Sequence, residues 1–188
     1  MIDEKKKIIF IHYAKCGGES IEQSIFGRSD TGYNGDPYEG SPQKHWGCKE
    51  YINHYGQEMF DQYFVFTFVR NPWARAVSRI MYINKRRGRE MDITPELLRT
   101  ECCLNEVIYD DLIDNKKRCR VDFVGKVENF QSDFNSLCDK IERPHHTLPH
   151  NNKTTHKHYT EYYDDETKQI VAEKYARDIE YFGYKFGE

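Results

Sequence analysis

No apolar run in this 188-residue sequence approaches the roughly 20 residues that a membrane-spanning helix needs, so no span is expected. Proline (6) and glycine (12) are too sparse for a disordered or collagen-like chain, and there is no internal repeat. The net charge is only −3, which gives no global pull toward nucleic acid or a membrane surface; any anion site has to be assembled locally. The six cysteines, Cys16, Cys48, Cys102, Cys103, Cys119 and Cys138, are scattered. A chain of this length builds a core without staples, so reduced thiols in a cytosol are expected. The histidines 145, 146, 150, 156 and 158 share one polar loop without a zinc-ligand spacing, and adjacent Cys102-Cys103 is a poor chelate, so no metal is expected. The charged lead Met1–Lys7 and the short apolar stretch behind it, with no small-residue cleavage site, do not make a signal peptide, and a soluble cytoplasmic protein is the expectation.

What remains reads as one domain over residues 1–188, its core built from Tyr and Phe as much as from Leu, since 14% of the chain is aromatic. Ile8–His12 is an apolar run of strand length. It is followed by the turn Tyr13-Ala14-Lys15-Cys16-Gly17-Gly18 and by an amphipathic helix over Glu19–Phe26, with Ile21 and Ile25 four apart. Gly27–Lys44, rich in Gly, Asp, Ser and Pro, predicts a surface loop. Tyr63–Val69 is apolar at nearly every position, as a central parallel strand is. Asn71-Pro72 breaks it and starts a helix to about Asn84. One or two helices follow over 94–114. A short strand at Val121–Val124 comes next, then a turn at Val124-Gly125 and a helix to about Ile141. Arg143–His158 is a long polar loop, and Asp164 caps a last helix whose apolar face is Val171, Tyr175, Ile179 and Phe182. Tyr162, Tyr163, Tyr175, Tyr181 and Phe182 read as core. Strands alternate with helices and no hairpin signal is present. The fold class is therefore α/β: a single P-loop-like three-layer domain with a central parallel sheet flanked by helices.

Two positions bear on chemistry. A glycine turn between a buried strand and a helix N-terminus presents backbone N–H groups and the positive end of the helix dipole, and Lys15 adds a point charge there. The spelling is not Walker A, because no Gly-Lys-Ser/Thr follows. The second position is the end of Tyr63–Val69, where nucleotidases place an acidic magnesium ligand and this chain has Arg70, with Ser78 two turns into the next helix. Taken singly, these are a strand-to-helix turn with a solvent-facing lysine and an arginine paired with a surface carboxylate. Taken together they call for a ligand with two separated anionic groups and no obligatory metal. 3'-Phosphoadenosine 5'-phosphosulfate (PAPS) is such a ligand, because its sulfuryl group carries less charge than a phosphoryl group and needs no magnesium.

The same residues resemble a known family. IFIHYAKCGGESI is similar to the 5'-phosphosulfate loop of the carbohydrate sulfotransferases, usually close to F-I-H-x-P-K-T-G-G-T-S. FTFVRNPWARAVSRI resembles their 3'-phosphate motif, VDFVGKVENF their later strand-and-turn segment, and LPHNNKTTHKHYTEYYDDET their C-terminal cofactor loop. The four segments occur in family order along nearly the whole chain. Ala14 stands where the family has proline, and Glu19 where it has a threonine that donates to the phosphosulfate; Ser20 is a candidate replacement.

The resemblance implies a sulfotransferase that takes PAPS as donor, releases 3',5'-adenosine bisphosphate (PAP), and sulfates a hydroxyl acceptor of the carbohydrate class. It places Lys15, Cys16, Gly17, Gly18, Glu19 and Ser20 around the phosphosulfate and Arg70 and Ser78 at the 3'-phosphate. Lys126 is a further candidate, and Lys153 and Thr154 close over the donor. His45, in KHWGCKEY, is the candidate base; a loop histidine stacked on Trp46 is the plainer alternative, and His12 reads as packing. The basic run Lys85-Arg86-Arg87-Gly88-Arg89 reads as a solvated helix end or a contact for an acidic glycan. A small P-loop kinase and a non-catalytic nucleotide-binding module are the competing readings, and the oligomeric state is left open.

Overall fold

The structure, a computed structural model, describes residues 1–27, 45–88, 94–100, 107–149 and 157–188. The predicted loop from 28 to 44, Cys102, Cys103, Lys153 and Thr154 lie outside the described residues. The class is mixed α/β with a mostly parallel four-stranded sheet, in the order β1 (Ile2–Asp3), β2 (Ile8–Ile11), β3 (Phe64–Val69), β4 (Phe123–Lys126). The chain divides into two compact units, Met1–Val69 with Asp111–Asn152, and Arg70–Asp110 with Lys153–Glu188.

The first unit holds the sheet. β2 pairs in parallel with β3, Phe10 opposite Phe66, and β3 in parallel with β4, Phe68 opposite Gly125. Alternation along the strands sends Ile8, Phe10, Phe66 and Phe68 to one face. There they pack with Ile21 and Ile25 of α1 (Gly18–Phe26) and with Phe134, Leu137 and Cys138 of the helix Phe130–Lys140. The Phe10 and Phe66 rings stack with centroids 5.0 Å apart. Each such side chain taken from water contributes roughly 1.5–3 kcal/mol. Ile9, Ile11, Val65 and Val69 at the alternate positions are buried too, which is why both runs are apolar but for Thr67. Two further helices, α2 (Cys48–Tyr55) and α3 (Gln57–Asp61), precede β3.

Two expectations change in this unit. The charged lead is not a bare extension: Ile2 and Asp3 pair antiparallel with Ile9 and Ile8, and Phe10 N–H donates to the Met1 carbonyl. The strand read at Val121–Val124 starts two residues later. Asp122 occupies the position before it by exchanging bonds with Val65, its N–H donating to the Val65 carbonyl and its carboxylate accepting the Val65 N–H at 2.7 Å. Gly125 is therefore a strand residue rather than a turn, and glycine is required there because a Cβ would run into the Phe68 ring.

The second unit is helical: α4 (Pro72–Arg87), α5 (Pro95–Thr100), the first residues of α6 (Ile108–Leu112), a 3-10 turn at Tyr159–Tyr162, α8 (Asp165–Lys174) and α9 (Ala176–Phe182), Phe130–Lys140 being α7. Asn71 caps α4, its Oδ1 accepting from Trp73 and Ala74 N–H, and Pro72 fits the first turn, where no N–H donor is needed. Trp73, Val77 and Ile80 pack against Leu98, Tyr159, Val171 and Tyr175. Asp164 caps α8 through the Thr167 N–H at 2.8 Å. The predicted last helix is two, because the backbone at Tyr175 (φ −106°, ψ 25°) leaves the helical range, although Val171, Tyr175 and Phe182 stay buried as the periodicity requires. Tyr181, expected in the core, is 47% exposed. Among the described residues no helix is long and apolar enough to cross a membrane.

Candidate active site

β2 and β3 are parallel neighbours, so their C-terminal ends share one sheet edge; Tyr13–Gly18 follows the first end and Arg70 is the next residue after the second. In the first turn, Cys16 N–H donates to the Tyr13 carbonyl at 3.3 Å, which closes the loop, and Cys16 is buried. Lys15, half-buried, takes a left-handed backbone (φ 67°), and so does Gly17 (φ 75°). That conformation costs a non-glycine residue about 1–2 kcal/mol, so the fold holds Lys15 in it at some expense, whereas Gly17 adopts it without strain. Gly17 is the N-cap of α1 and has no side chain to cap it. The N–H groups of the first turn, Gly18, Glu19 and Ser20, thus gather beside Lys15 at the positive end of the helix. Glu19 is half-buried in that turn and Ser20 buried.

A buried pair lies behind the turn. His12 Nδ1 is 2.7 Å from Glu22 Oε1, and the carboxylate, which can only accept, fixes the proton on Nδ1. The far side of the same ring faces Gly18 so closely that a Cβ there would collide with it. His45 stands edge-on to His12, with ring centroids 4.8 Å apart and Nδ1 3.2 Å from the His12 carbonyl oxygen. A carbonyl also accepts only, so the Nδ1 of His45 carries the proton and the lone pair resides on Nε2, the form a general base requires. His45 is exposed. Its ring contact is with His12; Trp46 packs instead on Tyr51 and His54.

Just past His45, Gly47 opens α2 without a capping side chain, and Asp111 supplies the cap from a distant part of the sequence. Its Oδ2 accepts the Cys48 N–H at 2.6 Å and its Oδ1 the Lys49 N–H at 3.1 Å, while the Tyr13 hydroxyl donates to Oδ2 as well. Burial, reinforced by the Asp111 charge, pushes the Cys48 thiol far above its ordinary value, so it is held as a neutral thiol and not as a nucleophile. Lys126 ends β4, opposite Val69 of β3, and its N–H donates to Asp133 at 2.7 Å.

Arg70 and Ser78 belong to the second unit, where both are half-buried, Arg70 directly before the Asn71 cap and Ser78 on α4. Arg75 of that unit is fully buried, and its charge acts on Asp178. Asp178 accepts the N–H groups of Ile108 (3.1 Å) and Tyr109 (2.7 Å); burial nonetheless holds its carboxyl above the usual range. The structure thus brings Lys15 to Ser20 into one turn and sets His45 against the histidine behind it. Lys153 and Thr154 lie outside the described residues. Among the described residues no three His, Cys, Asp or Glu side chains gather into a metal-ligand group, and His150 and His156 lie outside them; His145 pairs with Asp139, and Arg86 folds onto Tyr82 at the exposed end of α4. The thiols of Cys16, Cys48, Cys119 and Cys138 are unpaired with one another.

Glu22, Tyr13 and Asp111 were not legible as site residues. Glu22 reads as one more polar position of an amphipathic helix, and Asp111 meets Tyr13 across a sequence separation of 98, so no local pattern announces either.

Against known proteins, the model of the sulfotransferase family matches residues 100–185. That span contains Lys126, Lys153 and Thr154 and leaves out Lys15 and Arg70. An uncharacterized protein of Archaeoglobus fulgidus is 38% identical over 96 residues, covering 49% of this chain and 78% of that protein. No solved structure matches the chain. The stretch from before α6 through α9 thus matches the sulfotransferase family, in a chain whose mixed α/β class suits that family's fold.

Proposed function

We propose that the chain, as one catalytic domain over residues 1–188, moves the sulfuryl group of PAPS to a hydroxyl acceptor, a carbohydrate, by in-line displacement without a metal. The observation that carries this is the Tyr13–Gly18 turn: a lysine and a helix N-terminus free of any capping side chain, at the C-terminal edge of a parallel sheet. The donor set is cationic and amide in character, which suits a sulfated phosphate. Lys15, Cys16, Gly17, Gly18 and Ser20 surround the phosphosulfate. Glu19, a carboxylate in that first turn, has to direct its charge away from the ligand. Arg70 and Ser78 take the 3'-phosphate, and Lys126, Lys153 and Thr154 complete the donor contacts.

His45 Nε2 takes the proton from the acceptor hydroxyl as that oxygen bonds to sulfur. The bond from sulfur to the bridging oxygen breaks, its electron pair leaves on the 5'-phosphate of PAP, and Lys15 stabilises the charge that develops there. Holding both groups on one sheet edge supplies the proximity the displacement needs.

The test is a radiolabelled sulfuryl-transfer assay over a panel of carbohydrate and small-alcohol acceptors, in excess EDTA. Transfer undiminished by the chelator is the expected result. Loss of all activity on chelation, or ATP-dependent phosphorylation in place of sulfation, would favour a kinase. PAP binding with no transfer to any acceptor would favour a non-catalytic module, the reading that Glu19 supports.

A further inference from the structure

The Asp111 carboxylate joins three parts of the chain that are remote in sequence. It receives the Cys48 and Lys49 N–H groups at the start of α2 and the Tyr13 hydroxyl from the turn after β2. Gly47 lies so close to it that a Cβ would overlap the carboxylate oxygens. The residue two before Gly47 is His45, which is held at its other side by the His12 carbonyl. Glu50 adds a bond to the Gly47 N–H at 3.0 Å, so the segment entering α2 is tied at several points.

An ordinary N-cap carboxylate comes from the residue that starts the helix. Here that residue is glycine, and the cap arrives instead from a carboxylate that also grips the phosphate-loop side of the site. We infer that Asp111 is a positioning residue for transfer: by tying the N-terminus of α2 to Tyr13, it fixes His45 against the end of β2. It touches neither donor nor acceptor in this account; it acts through the placement of His45. The inference rests on the proposed sulfotransferase reading, in which His45 is the base, and a base displaced by an ångström loses much of its effect.

Two variants test it. Asp111→Asn keeps the size of the side chain but turns one acceptor into an NH₂ that opposes either the Lys49 N–H or the Cys48 N–H and the Tyr13 hydroxyl. Gly47→Ala leaves the backbone at ease, since φ is −82° there, and acts only by pushing the carboxylate away. Both are expected to lower kcat by about ten- to a hundredfold. PAP affinity, measured by calorimetry, is expected to stay within about threefold, because Lys15, Gly17 and Gly18 are set by β2 and α1 rather than by α2. If Asp111→Asn does not fold, Gly47→Ala and Tyr13→Phe decide the matter, the latter removing a single bond for a loss of about three- to tenfold in kcat. Unchanged kcat in the folded variants overturns the inference, and so does a fall in kcat and PAP affinity in equal proportion, which marks a purely structural cap. A wild-type protein that neither binds PAP nor transfers sulfate is a different outcome: the proposed function itself then fails and takes this inference with it.

Discussion

Lys15→Ala is expected to lower sulfuryl transfer about a hundredfold or more, with a weaker grip on the donor. The expectation comes from the cost the fold accepts to hold this residue where it is. Lysine in a left-handed backbone is unfavourable, yet Lys15 adopts φ 67° at the entrance of α1, with Gly17 in the same region two residues later. The residue is half-buried, and a charge close to the protein is less screened by water than one on a fully exposed lysine. In the proposed reading, a charge there, beside the N-terminus of α1, meets the atoms on which negative charge grows as the bond to sulfur breaks. Lys15→Arg keeps the charge with a wider, planar head and should recover only part of the rate. Steady-state kinetics with saturating acceptor check this, and near-normal turnover in Lys15→Ala removes the residue from the mechanism.

The second large effect is expected at His45. His45→Ala should also reduce transfer by about a hundredfold or more, and it should do so in kcat with little change in PAP affinity, because the side chain serves the acceptor and not the donor. The argument is one of tautomer and place. The His12 carbonyl holds the proton on Nδ1 and leaves Nε2 as the basic nitrogen, and the edge contact with the His12 ring sets the orientation of the imidazole. His12 is in turn held by Glu22, so a chain of two fixed imidazoles runs from α1 to the base. His45→Gln retains a polar group of similar reach without a titratable nitrogen and should remain as impaired as the alanine variant. Retention of normal kcat in either variant assigns the base elsewhere.

The local parts of this account could be read from the residues alone. The two central strands are apolar at every position but Thr67 because both faces are buried, and the caps Asn71 and Asp164 are spelled in the chain next to the helices they start. The Tyr13–Gly18 turn is equally local: strand, lysine, glycines and helix follow within eleven residues, from Ile8 to Gly18. What escaped is long-range or too short to have a period. β1 is two residues long and precedes three lysines, so it carries no alternation to read. β4 starts later than the sequence suggests because Gly125 has the character of a turn residue, when its small size answers to the Phe68 ring beside it. The break at Tyr175 leaves the apolar stripe intact, so periodicity joins α8 to α9. In the site, Lys15 through Ser20 lie side by side in the chain, whereas Glu22 and Asp111 acquire meaning only once His12 and Tyr13 are placed in space.

The central claim is that the Tyr13–Gly18 turn binds the donor, and calorimetric titration of the wild-type protein and Lys15→Ala with PAP and with ATP tests it most directly. Saturable PAP binding that weakens at least about tenfold in the variant, with ATP much weaker than PAP, is the predicted result. Equal affinity of the two proteins for PAP, or a preference for ATP that needs magnesium, would contradict it.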